Sequence, residues 1–189
     1  MKRGILGTLL VAATLVATAA TAVAADKGTA KPPLTGADLE KGVRHGILMY
    51  SHYTLWDDIS FRIDNGNVEL LGAVSQPYKK SDLERIVQHI PGVASVTNEI
   101  KVLPLSPQDN RLRLQVARAI YRDPALSRYG MGAVPAIHII VDNGHVTLTG
   151  AVNNIVDKQV AGIRASGAGL SFGPVINNLT VDNPPAKKS

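Results

Sequence analysis

Residues 64–74 read Asp-Asn-Gly-Asn-Val-Glu-Leu-Leu-Gly-Ala-Val, and residues 142–152 read Asp-Asn-Gly-His-Val-Thr-Leu-Thr-Gly-Ala-Val. Eight of the eleven positions are identical in these two stretches, which lie 78 residues apart. A second pair of segments, residues 96–102 and 175–181, matches in the same order at a spacing of 79 residues. Two matched pairs in the same order indicate that the chain contains a tandem repeat.

Each repeat has the pattern of a helix, two strands, a second helix and a last strand. Apolar residues recur at helical spacing in residues 39–50 and 112–120, and every second residue is apolar in 59–64 and 137–142. Between the two strands, Asn65-Gly66 and Asn143-Gly144 supply the positive φ angles of a tight hairpin turn. The sequence therefore predicts a β-hairpin after the first helix of each repeat.

The second helix of the first repeat follows Ser75 and ends before Gly92, which is typical of a helix stop. Its counterpart follows Asn153, and we expect Val156, Val160 and Ile163 to form its buried apolar face. A sheet with one apolar face needs helices to cover that face. The predicted fold class is therefore α+β, with two tandem α-β-β-α-β domains, each a three-stranded sheet with two helices on one face.

The ends of the chain differ in composition from the repeats. Residues 1–25 combine Lys2 and Arg3 with an apolar run and a small-residue finish, which is the pattern of a secretory signal peptide cleaved after Ala24 or Ala25. An uncleaved anchor is the alternative for this segment. The predicted organisation is a signal peptide at 1–25, a flexible tail at 26–37, a first domain at 38–103, a linker at 104–108, a second domain at 109–183 and a disordered tail at 184–189.

Charge and cysteine content narrow the class of protein. Loss of Lys2 and Arg3 leaves 18 basic against 15 acidic residues, so both export and the small net charge argue against a nucleic-acid partner. The chain has no cysteine, which excludes disulfides, a cysteine nucleophile and a lipidated cysteine. After Asp26 no apolar run approaches the ~20 residues of a membrane span. We therefore expect an exported, periplasmic protein without a transmembrane segment in its mature chain.

The repeat resembles the BON-domain family, named for bacterial osmotically inducible and nodulation proteins. The features that carry the resemblance are the strand ends at Gly72-Ala73-Val74 and Gly150-Ala151-Val152, the segment from Gly92 through Val96 to Asn98, and the segment from Phe172 through Val175 to Asn177. Ser171 stands where the second copy would carry the glycine. The resemblance implies a non-enzymatic periplasmic protein associated with envelope integrity, phospholipid surfaces or chaperoning, and it is greatest to osmotically inducible members with two such domains.

No catalytic residue, cofactor or metal site is predicted. Residues 169–173 match the G-x-S-x-G pattern of a nucleophile elbow, but a helix precedes Ser171 and a strand follows it, which reverses the order that the elbow requires. The five histidines are scattered over different elements, whereas zinc needs three or four convergent ligands. A metal pair at His138 and His145, facing each other across the second hairpin, is the alternative to two solvent-facing strand residues.

Asn98 and Asn177 share strand parity with aliphatic neighbours, so we expect each amide to point toward the core side of its sheet. An amide in that position must be hydrogen-bonded, or it destabilises the fold by ~1–3 kcal/mol. A structural role, tying the last strand to a neighbouring segment, competes with a ligand contact.

The candidate binding residues lie on the first helix of the second repeat. At 100° per residue, Arg111, Arg118 and Arg122 fall on one face, and Tyr121 and Tyr129 follow closely in sequence. Guanidinium groups bind phosphates bidentately, so this row and Tyr121 are predicted to contact anionic lipid head groups. The second repeat carries seven basic and five acidic residues over 109–183, whereas residues 39–103 carry seven and eight. A solvated charged helix face remains the alternative.

Two functions of different classes follow. The first is an envelope-maintenance or osmotic-stress protein that binds anionic phospholipid surfaces peripherally, and the second is a periplasmic chaperone for unfolded outer-membrane or exported proteins. A lipid-binding protein should display a basic surface and release its ligand as salt rises. A chaperone should display a broad exposed apolar patch.

Overall fold

The computed structural model describes residues 34–169 and 171–182, all within one compact unit. The predicted signal peptide and both terminal tails fall almost entirely outside the described residues. The first repeat contains α1 (Gly36–Leu48), β1 (Asp58–Asp64), β2 (Asn67–Val74), α2 (Pro77–Gln88), β3 (Ser95–Asn98) and β4 (Lys101–Val102). The second contains α3 (Pro107–Tyr121), a 3₁₀ turn (Ser127–Gly130), β5 (Ile137–Asp142), β6 (His145–Val152), α4 (Ile155–Ser166), β7 (Ile176–Asn177) and β8 (Thr180–Val181).

The predicted α+β class and the order of elements are confirmed. In each repeat the hairpin strands are antiparallel, and the last strand pairs in parallel with the second strand of the hairpin. The last strand was predicted as continuous, but it is interrupted after Asn98 and after Asn177, so two short pieces pair with one strand. The first helix of each repeat also begins two residues before the predicted start of its domain: α1 begins at Gly36 instead of 38, and α3 begins at Pro107 instead of 109.

The local sequence explains the start of α3 and the hairpin turns. Pro107 occupies the first turn of α3, where its missing N–H costs nothing, and the Ser106 hydroxyl caps the helix by accepting from Asp109 N. Asn65 and Asn143 have φ angles of 48° and 51°, as the predicted turns require. Gly72 has a φ of +111°, and a Cβ there would lie 2.0 Å from the carbonyl oxygen of Asp58. Only glycine fits this position of the hairpin.

Each repeat has its own aliphatic core between helices and sheet, but α4 presents a different face to it than predicted. Ala161 and Ala165 are buried against the second sheet together with Asp157, whereas Val156 and Ile163 are 60% and 69% exposed. The small alanine side chains occupy the places that Leu83 and Val87 fill on α2. Val160 packs against the second core as predicted, but the predicted apolar face was wrong for Val156 and Ile163, because two apolar faces compete on this helix and packing decides between them.

A buried ion pair fixes the loop before β1. Asp57 is fully buried, and its carboxylate accepts hydrogen bonds from Lys79 Nζ at 2.6 Å, from the backbone N–H and hydroxyl of Ser75, and from those of Thr54. Burial alone would raise the pKa of Asp57, but the hydrogen bonds from Lys79, Thr54 and Ser75 outweigh it and lower this pKa below its ordinary value. The sequence pattern does not distinguish this buried pair of Asp57 and Lys79 from surface charges.

The second repeat has a corresponding polar contact between the loop before its hairpin and its second helix, but there the acidic residue lies on the helix and the basic residue in the loop. Asp157 stands on α4 where Lys79 stands on α2, and it accepts from the Tyr129 hydroxyl at 2.6 Å and pairs with Arg128. The Tyr129 hydroxyl also accepts from Asn153 N at 2.8 Å, which repeats the bond from Ser75 N to Asp57. Both repeats thus join the loop before the hairpin to the second helix through a buried polar contact.

The loop before β1 also contacts the second repeat. The carbonyl oxygen of Leu55 accepts a hydrogen bond of 2.8 Å from Ile139 N, and the side chains of Leu55 and Trp56 pack against the second core. The Tyr53 and His138 rings lie 5.5 Å apart, and Lys101 forms an ion pair with Asp142. The two repeats are therefore joined by backbone, apolar and charged contacts.

Candidate functional site

The arginine row lies on the outer face of α3. Arg111, Arg118 and Arg122 are all exposed, while Leu112, Val116 and Ile120 of the same helix are buried in the second core. Among the described residues, none of the three arginines forms an ion pair. Their guanidinium groups are thus available to an external anion.

The other arginines of the second repeat are occupied. Arg113 is buried and donates to the carbonyl oxygen of Val141 at 2.8 Å, Arg128 pairs with Asp157, and Arg164 donates to Asp123 at 2.7 Å. The hydrogen bond from Arg164 holds the pKa of Asp123 below its ordinary value. Asp123, which lines the same groove as Arg118 and Arg122, is therefore neutralised by its own partner.

One end of the row opens on a groove between α3 and α4. The groove has a volume of about 590 Å³, and its lining includes Arg118, Arg122, Arg164 and Ile163. Ile163 is 69% exposed, so an aliphatic side chain stands beside three guanidinium groups. This combination suits a partner that has both phosphate and hydrocarbon, as a lipid surface does.

The other end of the row lies beside an exposed aromatic ring. Arg111 and Phe172 line the same groove of about 330 Å³, and Phe172 is 74% exposed. The Phe172 backbone N–H donates to the carbonyl oxygen of Gly144 at 3.0 Å, and its ring lies so close that a Cβ at Gly144 would be 2.4 Å from it. The ring is therefore held over the hairpin turn at the end of the row. We call Arg111, Arg118, Arg122, Ile163 and Phe172 the α3 surface.

The two tyrosines near the row face inward. The Tyr121 hydroxyl donates to the carbonyl oxygen of Ile137 at 2.5 Å, and burial raises the pKa of its phenol. Tyr129 is buried and bonded to Asp157. The structure thus places Tyr121 in the packing of α3 against β5, and the geometry lends no support to its predicted contact with lipid.

Ile163 and Phe172 were missed by the sequence analysis. A signal for Ile163 is present, because alignment of the repeats sets it opposite the exposed Arg85 of α2. When a position is exposed in one repeat, an aliphatic residue at the same position of the other repeat indicates an exposed apolar surface there. Phe172 lies in an irregular segment, where no periodicity predicts exposure.

The two asparagines tie the interrupted strands to the helices. Asn98 Nδ2 donates to the carbonyl oxygen of Lys80 at 2.9 Å, and its Oδ1 accepts from Ile100 N across the interruption. Asn177 makes the same two contacts, with the carbonyl oxygen of Lys158 at 2.7 Å and with Leu179 N. The amide replaces the strand bonding lost at the break.

We expect Asn98→Ala to lower the free energy of unfolding by about 1–3 kcal/mol, because it removes these contacts and a further hydrogen bond from Nδ2 to Glu84 at a half-buried site. Urea unfolding followed by circular dichroism measures the loss. Asn67→Ala is the control, since Asn67 makes one exposed hydrogen bond with Ser95. Binding to any partner should stay as in the wild type, and an unchanged unfolding curve would show that the amide has no structural role.

The remaining sequence candidates do not converge on a reactive centre. The Ser171 hydroxyl donates to the carbonyl oxygen of Gly173 at 2.6 Å. His138 pairs with Thr149 across the hairpin and His145 with Asp142, so the alternative in which the two histidines face each other was wrong. The expected solvent-facing position holds for His145, but it was wrong for His138, which is buried. Within residues 34–169 and 171–182, no group of three potential ligands is placed to hold a metal ion.

A comparison with protein families matches the chain twice. The family model described as "BON domain" covers residues 52–104 and 108–183, one match in each repeat and together more than half of the chain. The first match begins after α1, whereas the second begins at the first turn of α3. No curated protein matches the chain.

Two solved structures resemble the fold at low similarity. One is the C-terminal domain of CdsD, described as the structural protein of the Type III secretion system of Chlamydia trachomatis, with 14% identity, a TM-score of 0.29 and coverage of 78% of this chain and 99% of that chain. A second structure of CdsD has 18% identity, a TM-score of 0.27 and coverage of 79% and 94%. Neither likeness bears on the function of this chain.

Among the helices that the structure describes, none is both long enough and apolar enough to cross a bilayer.

Proposed function

The chain belongs to the BON-domain family, and from this we propose that it is a non-enzymatic periplasmic protein that binds anionic phospholipid surfaces peripherally. The family is associated with phospholipid binding. In the cell the protein would then serve envelope maintenance under osmotic stress. The observation that carries the proposal is the α3 surface, where three arginines that form no ion pair within the described residues stand between two exposed apolar side chains.

The α3 surface combines two weak contributions that a membrane adds together. Each arginine near an anionic bilayer contributes about 1 kcal/mol through its charge and its bidentate contact with phosphate. Ile163 and Phe172 would enter the head-group region and bury apolar area there. Neither contribution suffices alone, so the proposal requires both on one face.

The test is co-sedimentation of the chain from residue 26 onward with lipid vesicles. We expect binding to vesicles of phosphatidylglycerol at low salt, much less binding to vesicles of phosphatidylcholine, and release as ionic strength rises and screens the arginines. Equal binding to both lipids, or binding to neither, contradicts the proposal. Absence of lipid binding would favour the alternative, a chaperone for unfolded outer-membrane or exported proteins.

Export to the periplasm is supported by the charge and hydropathy pattern of residues 1–25. Mass spectrometry of the expressed protein tests it directly. A mature mass that begins after Ala24 or Ala25 agrees with the proposal, whereas an intact amino terminus on a cytoplasmic protein contradicts it.

A further inference from the structure

The first strand of each hairpin lies at the edge of its sheet, and its outward backbone groups are identified by the register. The carbonyl oxygen of Leu70 accepts from Glu99 N at 2.9 Å, so the peptide groups of Leu70 face β3. Phe61, directly opposite Leu70, therefore points its own N–H and C=O away from the sheet. Ile139 stands in the same relation to Leu148, whose carbonyl oxygen accepts from Asn178 N.

In the second repeat this edge is covered. Ile139 N donates to the carbonyl oxygen of Leu55, the carbonyl oxygen of Ile137 accepts from the Tyr121 hydroxyl, and that of Val141 accepts from Arg113. A main-chain carbonyl from the turn at Leu55 and two side-chain donors thus satisfy the outward groups Ile139 N, Ile137 O and Val141 O of β5.

In the first repeat both donors are replaced. The sequences of α1 and α3 can be aligned by their buried positions, so that Leu39 matches Leu112 and Ile47 matches Ile120. In this alignment Glu40 stands in the place of Arg113, and Leu48 stands in the place of Tyr121. Neither a carboxylate nor an aliphatic side chain donates a hydrogen bond to a carbonyl oxygen.

Within the part of the chain that the structure describes, the outward groups of β1 are therefore left open at Phe61 and Ile63. Among the described residues, the backbone groups of Phe61 and Ile63 have no hydrogen-bond partner beyond the hairpin, and at Ile59 the Tyr53 hydroxyl approaches the backbone. An unpaired strand edge is a template for another strand.

A groove runs along this open edge. Its volume is about 880 Å³, and its lining between α1 and β1 includes Leu39, Phe61 and Ile63. Glu40 and Arg44 form an ion pair on its rim, and the Arg44 guanidinium lies 5.6 Å from the centre of the Phe61 ring. The rim has one charge of each sign, so it favours neither an anionic nor a cationic ligand.

We propose that β1 binds an extended, apolar segment of a partner polypeptide by main-chain hydrogen bonds. The occupant is argued from the second repeat, where the same edge position receives the main chain of Leu55 and the side chains of Leu55 and Trp56 pack beside it. Main-chain pairing gives the affinity, and alternate side chains enter the groove. This surface lies on the first repeat and is independent of the α3 surface.

The probe is a fluorescein-labelled seven-residue peptide of alternating valine and threonine, matched in length to β1. We expect fluorescence anisotropy to show saturable binding by the chain from residue 26 onward. The same peptide with alternate amides N-methylated keeps its side chains but loses its donors, and we expect it to bind at least about tenfold more weakly. Equal binding of the two peptides, or no binding of either, overturns the proposal.

Phe61→Pro tests the strand itself. Proline removes an N–H that points away from β2, so the hairpin keeps its own hydrogen bonds, and the variant should bind the peptide about tenfold more weakly. Phe61→Val is the matched control, because it loses the ring but keeps the N–H, and we expect it to retain most of the binding. Circular dichroism and the fluorescence of Trp56, the single tryptophan, report whether each variant is folded.

Three further outcomes decide the occupant. A wild-type dimer that Phe61→Pro converts to a monomer would overturn the proposal in favour of a second copy. Peptide binding that appears only when residues 26–33 are removed would assign the edge to this segment of the same chain, and would also overturn it. Peptide binding that survives replacement of the α3 arginines is the expected result, and it separates this proposal from lipid binding.

Discussion

Lys79→Met is expected to lower the free energy of unfolding by about 3–5 kcal/mol, because it leaves the buried Asp57 carboxylate without its cation. The aliphatic stem of Lys79 is preserved in methionine, so packing changes little. Folded domains of this kind are stable by only about 5–15 kcal/mol, and the loss would therefore be a large fraction of the total. Urea titration followed by the fluorescence of Trp56, next to Asp57, measures it.

Two further variants separate charge from packing. Asp57→Asn combined with Lys79→Met removes both charges, and the amide oxygen can keep the two hydrogen bonds from Ser75 while the bond from Thr54 N is lost. Because no uncompensated carboxylate is then left buried, we expect the double variant to be more stable than Lys79→Met alone. Lys41→Met breaks the exposed pair with Asp38 and should cost less than about 1 kcal/mol. A loss at Lys79 as small as that at Lys41, or a double variant less stable than the single one, would contradict the assignment.

The pH dependence of the free energy of unfolding also reports on the buried pair of Asp57 and Lys79. Because the pKa of Asp57 is lower in the folded protein than in the unfolded chain, its contribution is fully present above the ordinary aspartate pKa, about 4. The contribution disappears as pH falls through the folded-state value. We therefore expect the wild type to lose stability more steeply than the Asp57→Asn, Lys79→Met double variant as the pH is lowered below about 4. If the stability curves of the wild type and the double variant ran parallel below about pH 4, the pKa of Asp57 would not be lowered in the folded protein.

The sequence predicts those features of the fold that depend on neighbouring residues. Helical and alternating periodicities place the helices and hairpins, and Asn65-Gly66 and Asn143-Gly144 place the turns, because both signals act over a few positions. The break after Asn98 is less local. A strand pattern continues through it, and only the bonds of the amide to Lys80 and Ile100 show why the ladder is interrupted there.

Long-range contacts explain what the sequence did not predict. Asp57 and Lys79 are 22 positions apart, so nothing local distinguishes their buried pair from two surface charges. On α4 the choice between Ala161 and Ile163 as the buried residue depends on the surface that receives the helix, and hydrophobicity alone favours the wrong one. The contact between Leu55 and Ile139 joins the two repeats and has no counterpart in either repeat alone.

The candidate site also contains residues that local sequence places and residues that only long-range packing places. Helical geometry is sufficient to place Arg111, Arg118 and Arg122 on one exposed face, because the buried face of α3 is unambiguous. The exposure of Ile163 is indicated only by its alignment with Arg85 of the other repeat, and that of Phe172 depends on how the segment after α4 packs, which the sequence does not report. The charged half of the α3 surface is therefore predictable from helical geometry, whereas the apolar half is not.

Replacement of Arg111, Arg118 and Arg122 by Gln is expected to weaken binding to phosphatidylglycerol vesicles by about 100-fold. Each arginine contributes about 1 kcal/mol near an anionic surface, and every 1.4 kcal/mol corresponds to a factor of ten. None of the three makes an ion pair within the described residues, so the folded structure should lose little stability. Vesicle co-sedimentation over a range of lipid concentrations gives the affinity, and the variant should also show a shallower salt dependence.

The matched control removes the same charge from the first repeat. Lys41, Arg62 and Arg85 are exposed and each is paired with a nearby carboxylate, so replacement of all three by Gln changes the net charge equally but leaves the α3 surface intact. If the arginine row is the contact, this control binds within a few fold of the wild type. If both triple variants weaken to the same degree, binding follows net charge alone and the α3 surface is not the site. Ile163→Ser together with Phe172→Ser should weaken binding while the salt dependence stays as in the wild type, because these side chains contribute buried apolar area rather than charge.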